Sequence, residues 1–306
     1  MLSCDAYLNP SSLRDALAAA ATSDGRYRFV AGATDLLPWA REGRAGDVHI
    51  PVMIDVAGIP ELGEIRIGGD RVWIGAATPF QQFLDRPDLV DAMPGLPDCA
   101  VWFADSQIRR SATIGGNIVN ASPAADGIPP LLTANATVEL AALHDGGIIR
   151  RRLPLSEFVT GPGRTAATRG EILLGVECDR LDGYGGAFEK VGHRRSLAIS
   201  TVCLSAVLRM NGSGERIDDL RLAVGGVGPI GRRMTRIEEA LTGEPITIDL
   251  LRQVMSDCDD YVQSRSRQGY RKSVVPGFLV RALAGALRKA GATREICAMA
   301  EEASHA

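Results

Sequence analysis

The chain of 306 residues has the composition of an ordinary globular protein, with 45% hydrophobic and 23% charged residues. A formal net charge of −3 gives no general attraction to nucleic acid or to an anionic lipid surface. No apolar run approaches the roughly 20 residues of a membrane span, and the first residues lack the basic and apolar segments of a signal peptide. We therefore expect a cytoplasmic protein with no membrane span and no nucleic-acid partner.

The N-terminal region alternates helix and strand. Ser11 or Ser12 can cap a helix over residues 13–20. A strand over residues 27–30 runs into the small-residue segment 31–38, and a short helix follows from Leu36 to about Arg41. A strand, a tight turn and a helix start bring backbone donors to one spot, which suits a phosphate group. The dinucleotide fingerprint G-x-G-x-x-G is absent from this loop and from the stretch around Gly115, which argues against a Rossmann domain. A purely structural turn is an alternative.

The next elements are strands and broken helices. Three prolines interrupt a helical pattern between Thr78 and about Ala104, and a short helix is predicted over residues 127–136. Strands are predicted over residues 52–56, in a hairpin around the glycine turn at 68–69, and in a second hairpin around the turn at 146–147.

The stretch from Thr113 to Asp126 has the most distinctive chemistry of the chain. Its adjacent glycines allow backbone N–H groups to converge on an anion, and its hydroxyl and amide side chains can add donors. The ionised carboxylate of Asp126 cannot donate to phosphate, so its natural partner is a hydroxyl such as a ribityl or ribose OH. The alternative is a structural Gly-Gly turn followed by a loop. The residues concerned are Thr113, Gly115, Gly116, Asn117, Ser122 and Asp126.

The C-terminal region has the pattern of a separate sheet with helices. A loose segment at 160–170 and a strand at 172–176 precede a glycine-rich link near residues 179–186. The order of elements along the chain predicts an α+β fold. Three antiparallel strands are predicted at 187–191, 200–210 and 220–227, followed by helices at 235–241, 248–265, 276–290 and 293–303.

The scattered cysteines and histidines indicate no metal centre. The six cysteines include no C-x2-C pair, and the four histidines lie far apart. This pattern argues against an iron–sulfur cluster or a structural zinc ion within this chain.

Three ordered motifs resemble one protein family. The pattern A-G-G-T-D-L-x-P appears at residues 31–38, and I-R-N-x-A-T-I-G-G-N-I-x-x-A-S-P-x-x-D appears at residues 108–126. A third pattern, F-x-K-x-x-x-R, appears at Phe188, Lys190 and Arg194. The chain resembles the FAD-binding medium subunit of the molybdenum hydroxylases, which include xanthine dehydrogenase and aerobic carbon monoxide dehydrogenase.

The resemblance extends from about residue 5 to 288 and implies an FAD-binding fold of the vanillyl-alcohol-oxidase (PCMH) type. This fold would occupy residues 1–178 in two subdomains, about 1–56 and 57–178. A C-terminal flavoprotein domain, built as a three-stranded antiparallel sheet with helices, would occupy residues 183–290. A tail helix would occupy residues 291–306.

The resemblance also implies a set of cofactor-binding residues. The first loop would wrap the FAD pyrophosphate through Val30, Ala31, Gly32, Ala33, Thr34, Asp35 and Leu36. The second motif would complete the phosphate and ribityl site through Thr113, Gly115, Gly116, Asn117 and Ser122, with Asp126 as a polar partner. Phe103 and Leu173 match residues beside the isoalloxazine ring, although either fits the hydrophobic core equally well. Lys190 matches a lysine near the pyrimidine edge, with Glu189 as the competing position.

Two residues depart from the family pattern. Ala33 replaces the usual second glycine of the first loop, and its N–H can still bind phosphate if its φ is negative. Arg110 stands where asparagine is common, and we expect it to be exposed.

If the resemblance holds, this chain needs no catalytic acid, base or nucleophile. A large subunit would carry the molybdenum cofactor, a small subunit would carry two 2Fe–2S clusters, and the assembly would be a dimer of heterotrimers. This chain would pass electrons through FAD to NAD⁺, a quinone or oxygen. The alternatives are a stand-alone flavoprotein oxidoreductase of the same fold, for which His193 is the only histidine near a relevant motif, and a non-enzymatic module, which only Ala33 supports.

Overall fold

The computed structural model describes residues 1–194, 197–264 and 266–304. The first part of the chain forms a small parallel sheet with strand order β1-β3-β2. Ser12 caps the first helix by accepting a hydrogen bond from the N–H of Asp15, and the apolar side chains at helical spacing on that helix are buried. The elements are β1 (Ala6–Leu8), α1 (Leu13–Thr22), β2 (Tyr27–Val30), α2 (Leu36–Arg41) and β3 (Val52–Asp55).

The second part is a five-stranded antiparallel sheet with strand order β4-β5-β10-β6-β7. Short helices pack on it, and their apolar side chains belong to the largest buried cluster. A two-stranded hairpin occupies part of the segment 160–170, which was expected to be loose. After a 3₁₀ helix at Pro60–Leu62, the elements are β4 (Ile65–Gly68), β5 (Arg71–Gly75), α3 (Gln82–Asp85), α4 (Asp88–Ala92), α5 (Gly95–Trp102), α6 (Ser106–Ser111), α7 (Ile114–Asn120), α8 (Ile128–Thr133), β6 (Thr137–His144), β7 (Gly147–Pro154), α9 (Leu155–Phe158), β8 (Val159–Gly161), β9 (Arg164–Thr165) and β10 (Ile172–Asp179).

The third part contains the predicted three-stranded antiparallel sheet, with a two-residue fourth strand added at its edge. Helices pack against this sheet around a second large core. None of the helices within the described ranges is long and apolar enough to cross a membrane. The elements are β11 (Gly185–Gly192), β12 (Ser200–Met210), β13 (Ile217–Gly225), β14 (Arg232–Arg233), α10 (Thr235–Leu241), α11 (Ile248–Ser256), a 3₁₀ helix (Asp257–Tyr261), α12 (Gln268–Lys289) and α13 (Arg294–Ser304).

Helix α12 begins earlier than the sequence predicts. The expected start is Pro276, but the helix begins at Gln268 and contains Pro276 in its interior. Proline cannot donate a helical hydrogen bond, but burial of the apolar face of α12 outweighs that loss. Helix α11 ends at Ser256, and its predicted end at Arg265 lies outside the described residues. The last two residues of the predicted tail helix also lie outside them.

Two glycines of the predicted link instead start β11. A Cβ on Gly185 would lie 2.1 Å from the backbone oxygen of Ala286 in α12, and a Cβ on Gly186 would lie 2.7 Å from the backbone carbon of Pro94. Only glycine allows such close approach of backbones. The strand is thereby held against α12 and the start of α5, which places the C-terminal sheet beside the helices of the second part.

The ion pair between Arg151 and Glu171 gives the fold a pH-dependent contact. Arg151 donates two hydrogen bonds to Glu171, at 2.5 and 2.7 Å, and the N–H of Thr168 donates a third at 2.6 Å. These hydrogen bonds lower the pKa of Glu171 from 4.5 to about 2, and those from Arg151 have the largest effect. Because the folded-state pKa is lowered, the stabilisation is present above about pH 4.5 and is lost as the pH falls towards 2.

We expect Glu171→Gln to lower the free energy of unfolding by about 1–2 kcal/mol near neutral pH, because hydrogen bonds to a charged group are lost while solvent screens the partly exposed Arg151. Urea unfolding of both proteins at neutral and acidic pH measures this difference. The difference should shrink as the pH falls below the ordinary pKa of a glutamate. A difference that stays constant with pH would contradict this account of the pair.

Candidate functional site

The loop between β2 and α2 presents a row of unused backbone donors. Within the described chain, none of the N–H groups of residues 31–36 donates to a backbone oxygen. Ala33 lies in the left-handed region, with φ of 51°. A left-handed residue within a turn directs neighbouring N–H groups to one point and forms a concavity that binds anions. The loop, which we call the anion cradle (residues 31–36), therefore has the local geometry that suits a pyrophosphate group.

Close packing holds the anion cradle against the second motif. A Cβ on Gly32 would lie 1.8 Å from the backbone oxygen of Ser111, so only glycine allows this approach. The side-chain amide of Asn120 donates to the carboxylate of Asp35 at 2.7 Å. Burial raises the pKa of Asp35, and Arg44 opposes that rise. The two segments that the sequence analysis expects to act together are in contact.

The second motif forms a helix, α7, and not the Gly-Gly turn of the alternative interpretation. Thr113 caps this helix by accepting a hydrogen bond from the N–H of Gly116 at 3.1 Å. The N–H groups of Ile114 and Gly115 also donate to backbone oxygens, that of Gly115 to Ala76 at 2.8 Å. These donors are used within the protein, so the expectation that they converge on an anion is wrong. The backbone that follows β5 accepts the hydrogen bonds from Ile114 and Gly115, and the Thr113 hydroxyl accepts that from Gly116.

The outer side of α7 nevertheless offers polar groups. A Cβ added to Gly116 would lie 3.0 Å from the Thr113 hydroxyl oxygen and would otherwise meet open space among the described residues. The side-chain oxygen of Asn117 accepts a backbone hydrogen bond at 3.1 Å, which leaves its amide N–H groups to donate elsewhere. The hydroxyl oxygen of Ser122 accepts a backbone hydrogen bond at 3.2 Å, and its proton is likewise left to donate.

A buried polar cluster joins Asp126 to the C-terminal sheet. The Lys190 ammonium donates to one carboxylate oxygen of Asp126 at 2.5 Å, and the Ser200 hydroxyl donates to the other at 2.5 Å. The side chains of Lys190 and Asp126 are only 6% and 8% exposed. Burial raises the pKa of Asp126, and the contacts with Lys190 and Ser200 oppose that rise. The hydroxyl partner of Asp126 is thus Ser200 of the protein itself. The sequence does not identify Ser200 as a site residue, because a serine at the start of a strand matches no functional motif.

The contacts of Lys190 and Glu189 show which of the two residues reaches the candidate site. Lys190 faces Asp126, and its ammonium also lies 3.4 Å from the backbone oxygen of Trp102. Glu189 pairs instead with Arg281 of α12 at 3.0 Å. Lys190 is therefore the residue of this strand that reaches the candidate site.

The two residues expected near the isoalloxazine ring pack with the main core. The Phe103 ring stacks on Phe80, with centroids 3.8 Å apart and an interplanar angle of 4°, and it remains partly exposed. Leu173 is 6% exposed and belongs to that core. Both residues therefore have a structural role, and the exposed part of Phe103 leaves room for contact with a cofactor. Arg110 is exposed, as expected.

The fold and the site together define a flavin-dinucleotide-binding protein. Its N-terminal parts bring the anion cradle next to α7, and its C-terminal sheet contributes Lys190. Residues 2–178 match the FAD binding domain in molybdopterin dehydrogenase, and residues 187–286 match the CO dehydrogenase flavoprotein C-terminal domain. The chain belongs to this family and is an FAD subunit of the xanthine dehydrogenase and CO dehydrogenase type.

Similar proteins match over most of the chain. The glyceraldehyde dehydrogenase medium chain of Sulfolobus acidocaldarius is 29% identical over 282 residues, which cover 90% of this chain and 96% of that one. The nicotinate dehydrogenase FAD-subunit of Eubacterium barkeri is 30% identical, with 81% and 84% of the two chains covered. A carbon monoxide dehydrogenase structure from Hydrogenophaga pseudoflava superposes with a TM-score of 0.85 at 25% identity, covering 94% of this chain and 99% of the other.

The left-handed conformation of Ala33 predicts a stabilising substitution. The observed φ of Ala33 is 51°, and not the negative value at which its N–H is expected to bind phosphate. A left-handed residue in a turn can still direct N–H groups to an anion, but the conformation strains an alanine. An alanine in the left-handed region destabilises the folded state by about 1–2 kcal/mol. A glycine avoids this strain but destabilises the folded state by about 0.5–1 kcal/mol, because it has more conformational freedom to lose on folding. We therefore expect Ala33→Gly to raise the free energy of unfolding by about 0.5–1 kcal/mol.

Urea unfolding of the two proteins measures the effect of Ala33→Gly. Ala31→Gly is the matched control, because Ala31 lies in the same loop without a positive φ. We expect this control to lose stability by about 0.5–1 kcal/mol. If both glycine variants lose stability, the strain assigned to Ala33 is refuted.

Proposed function

We propose that this chain is the subunit through which electrons leave a molybdenum hydroxylase. It takes electrons from two 2Fe–2S clusters of a small subunit, which receives them from a molybdenum cofactor in a large subunit. FAD on this chain then passes them to an external acceptor. We further propose a dimer of heterotrimers in the cytoplasm. The observation that carries this proposal is the row of unused N–H groups in the anion cradle, set beside the open side of α7.

The order of elements supports a division of the chain into domains. The parallel sheet ends with β3 and the antiparallel sheet begins with β4, which supports a boundary between two FAD-binding subdomains. The separate core of the third part supports an independent C-terminal domain. We propose an FAD-binding domain at residues 1–178 with subdomains about 1–56 and 57–178, a C-terminal flavoprotein domain at 183–290 and a tail helix at 291–306.

The residues fit FAD part by part. We assign the pyrophosphate to the backbone of the anion cradle, because an anion there would accept from donors that make no described backbone bond. We assign the ribityl chain and the neighbouring phosphate oxygens to Thr113, Asn117 and Ser122, with Gly116 leaving space for their approach. These side chains retain donors after their contacts within the protein are counted.

We place the isoalloxazine ring near Phe103, Leu173 and Lys190. The ammonium of Lys190 is held by Asp126, so its position is fixed before the ring binds. A fixed cation at the pyrimidine edge favours the reduced anionic ring over the oxidised one. When bound, FAD supplies the redox chemistry, because it accepts electrons singly and releases them in pairs.

The stand-alone oxidoreductase is the second candidate, and the side chains at the site do not favour it. Such an enzyme needs an acid or base free to act on an organic substrate. Asp126 and Lys190 form a hydrogen-bonded ion pair with each other, and His193 is in contact with Arg267. These contacts hold the three groups in other roles, so electron transfer to and from a partner is the better interpretation.

The test is anaerobic reduction of the protein co-purified from its native host under mild conditions. Flavin and iron–sulfur absorbance are followed together, and co-migrating chains are identified by mass. Two further subunits, bound molybdenum and bleaching of the flavin after addition of the organic substrate support the proposal. A lone yellow chain that a small molecule reduces directly would favour the stand-alone enzyme, and a colourless chain that binds no FAD would refute both.

A further inference from the structure

Strand β12 begins with an irregularity beside the buried polar cluster. Val191 of β11 lies opposite Val202 of β12. The next residue, Gly192, lies opposite Ser200 and not opposite Thr201, so β12 contains one residue more than its partner strand at this point. Such an insertion is a β-bulge, which bends the strand and redirects its side chains.

The bulge determines which hydroxyl side chain faces Asp126. Lys190 of β11 lies opposite Cys203, and side chains two residues apart in a strand share a face. In a regular pairing, Thr201 would therefore lie on the face of Lys190. Because of the extra residue, Ser200 takes this place, and its hydroxyl donates to Asp126 at 2.5 Å.

Two glycines allow the backbone to pack closely around the bulge. A Cβ on Gly192 would lie 2.5 Å from the Cβ of Ala198 and 2.9 Å from the backbone oxygen of Ile199. Gly226 has a φ of 79°, and a Cβ there would lie 2.5 Å from the backbone oxygen of Thr201. Only glycine allows such close approach, so backbone encloses the bulge on two sides.

The side chain of Arg271 in α12 holds the extra residue in place. Its guanidinium donates to the backbone oxygens of Thr201 and Gly226. Its Nε donates to the backbone oxygen of Ser266 at 2.9 Å. Backbone oxygens from three segments of the chain thus fix the guanidinium, and the guanidinium in turn fixes the bulge.

Ser200 and Lys190 share the carboxylate of Asp126 between them. Ser200 donates to one oxygen and Lys190 to the other, each at 2.5 Å. Ser200 is 5% exposed, so water does not readily replace its hydroxyl. A hydrogen bond to one carboxylate oxygen stabilises negative charge on that oxygen. It thereby limits how strongly the carboxylate neutralises the ammonium of Lys190.

We propose that Ser200, directed by the bulge that Arg271 holds, is a positioning residue for Lys190 and thereby raises the midpoint potential of the bound flavin. This inference rests on the proposed function, because it requires the isoalloxazine ring beside Lys190. Ser200 acts through Asp126, and a less neutralised ammonium favours the reduced anionic ring. Neither Ser200 nor Arg271 has to touch the cofactor.

The test is the flavin midpoint potential of the complex, measured by spectroelectrochemistry in a mildly alkaline buffer that keeps Asp126 ionised. We expect Ser200→Ala to weaken the preference for reduced over oxidised flavin by about threefold, a negative shift of about 15 mV for a two-electron couple. Ser200→Thr keeps the hydroxyl and should restore the wild-type potential. Ser205→Ala is the matched control, because Ser205 is a buried serine of the same strand whose hydroxyl lies 3.5 Å from that of Thr133. It should leave the potential unchanged.

A double-mutant cycle on the same potential tests the role of the bulge. Arg271→Met leaves the buried serine intact and should also shift the potential to a more negative value, because a loosened bulge no longer directs Ser200 to Asp126. If Arg271 acts through Ser200, the double variant Ser200→Ala/Arg271→Met should have the potential of Ser200→Ala alone. Additive shifts would show that the charge of Arg271 acts on the flavin directly, and would overturn the proposed link.

Lys190→Met separates a failure of this inference from a failure of the proposed function. If Lys190→Met shifts the potential while Ser200→Ala leaves it unchanged or makes it more positive, the inference is overturned and the proposed function stands. If neither variant shifts the potential, the ring does not lie beside Lys190, and the inference fails together with that placement. A complex without flavin would refute the proposed function and the inference with it.

Discussion

Lys190→Met is expected to lower the free energy of unfolding by about 3–5 kcal/mol, because it leaves a buried carboxylate without its counter-ion. The ammonium and the Asp126 carboxylate are 2.5 Å apart, and their side chains are only 6% and 8% exposed. Methionine has a similar length and volume, so the loss reports the missing charge and not a cavity. Urea unfolding followed by circular dichroism measures it.

The pH dependence of this loss follows from Asp126. Burial already raises the pKa of Asp126 in the wild type, and Lys190 opposes that rise. Without Lys190 the pKa rises further. A carboxyl group with a raised folded-state pKa contributes its stability below the ordinary pKa and loses it as the pH rises through the raised value. The deficit of Lys190→Met should therefore be larger at mildly alkaline pH than at mildly acidic pH.

The matched control for this prediction removes both charges. The double variant Asp126→Asn/Lys190→Met buries no ion, so most of the lost stability should return. Together with the wild type and the single variants Lys190→Met and Asp126→Asn, it forms a double-mutant cycle. A double variant that is no more stable than Lys190→Met would show that the ion pair is not the source of the loss. In the flavin-loaded protein, Lys190→Met should also shift the flavin midpoint potential to a more negative value, because a cation that favours the reduced ring is gone.

Local patterns make the first loop predictable from sequence. A strand, small residues and a helix start at residues 27–41 are all encoded within one short window, and the structure contains them in that order. The left-handed φ of Ala33 is not predictable in this way, because Gly32 beside it packs against Ser111, about 80 residues further along the chain. A short window does not contain the long-range packing that holds this strained conformation.

For the second motif, the local sequence does not determine the structure. Considered alone, its glycines fit either a phosphate-binding backbone or a structural turn, and the family pattern includes them among the site residues. In the structure, helix α7 and the backbone after β5 use the first N–H groups, because neighbouring apolar residues such as Ile114 and Ile118 are fully buried against the core. Tertiary burial therefore overrides both local interpretations that the sequence leaves open, the anion-binding backbone and the structural turn.

The residues of the polar cluster are predictable from the motifs, but their mutual contact is not. Asp126 and Lys190 are each expected beside the cofactor from their places in two motifs, which lie 64 residues apart. Their bond to each other depends on how the C-terminal sheet docks on the preceding helices, which involves the tight packing of Gly185 and Gly186. No spacing within either motif contains that information.

Gly115→Ala and Gly116→Ala are expected to differ sharply although they are neighbours in the same helix. A Cβ on Gly115 would lie 2.5 Å from both the Cβ and the backbone oxygen of Ala76. The backbone after β5 cannot move away without weakening the hydrogen bond between the Gly115 N–H and that oxygen. We expect Gly115→Ala to lose about 2–3 kcal/mol of unfolding free energy, even after the gain in helix propensity of about 1 kcal/mol.

Gly116→Ala is the matched control, and it also tests the assignment of the cofactor site. Its Cβ would meet the Thr113 hydroxyl oxygen at 3.0 Å, which requires only a small shift of that side chain. The gain in helix propensity offsets the free-energy cost of this contact, so the stability of Gly116→Ala should stay within about 1 kcal/mol of the wild type.

The FAD affinity of Gly116→Ala should nevertheless fall, because the added methyl enters the space that we assign to the cofactor. Urea unfolding and FAD titration of the two variants separate these effects, since packing alone would lower stability and affinity together. If Gly116→Ala binds FAD as tightly as the wild type, the open side of α7 is not part of the cofactor site.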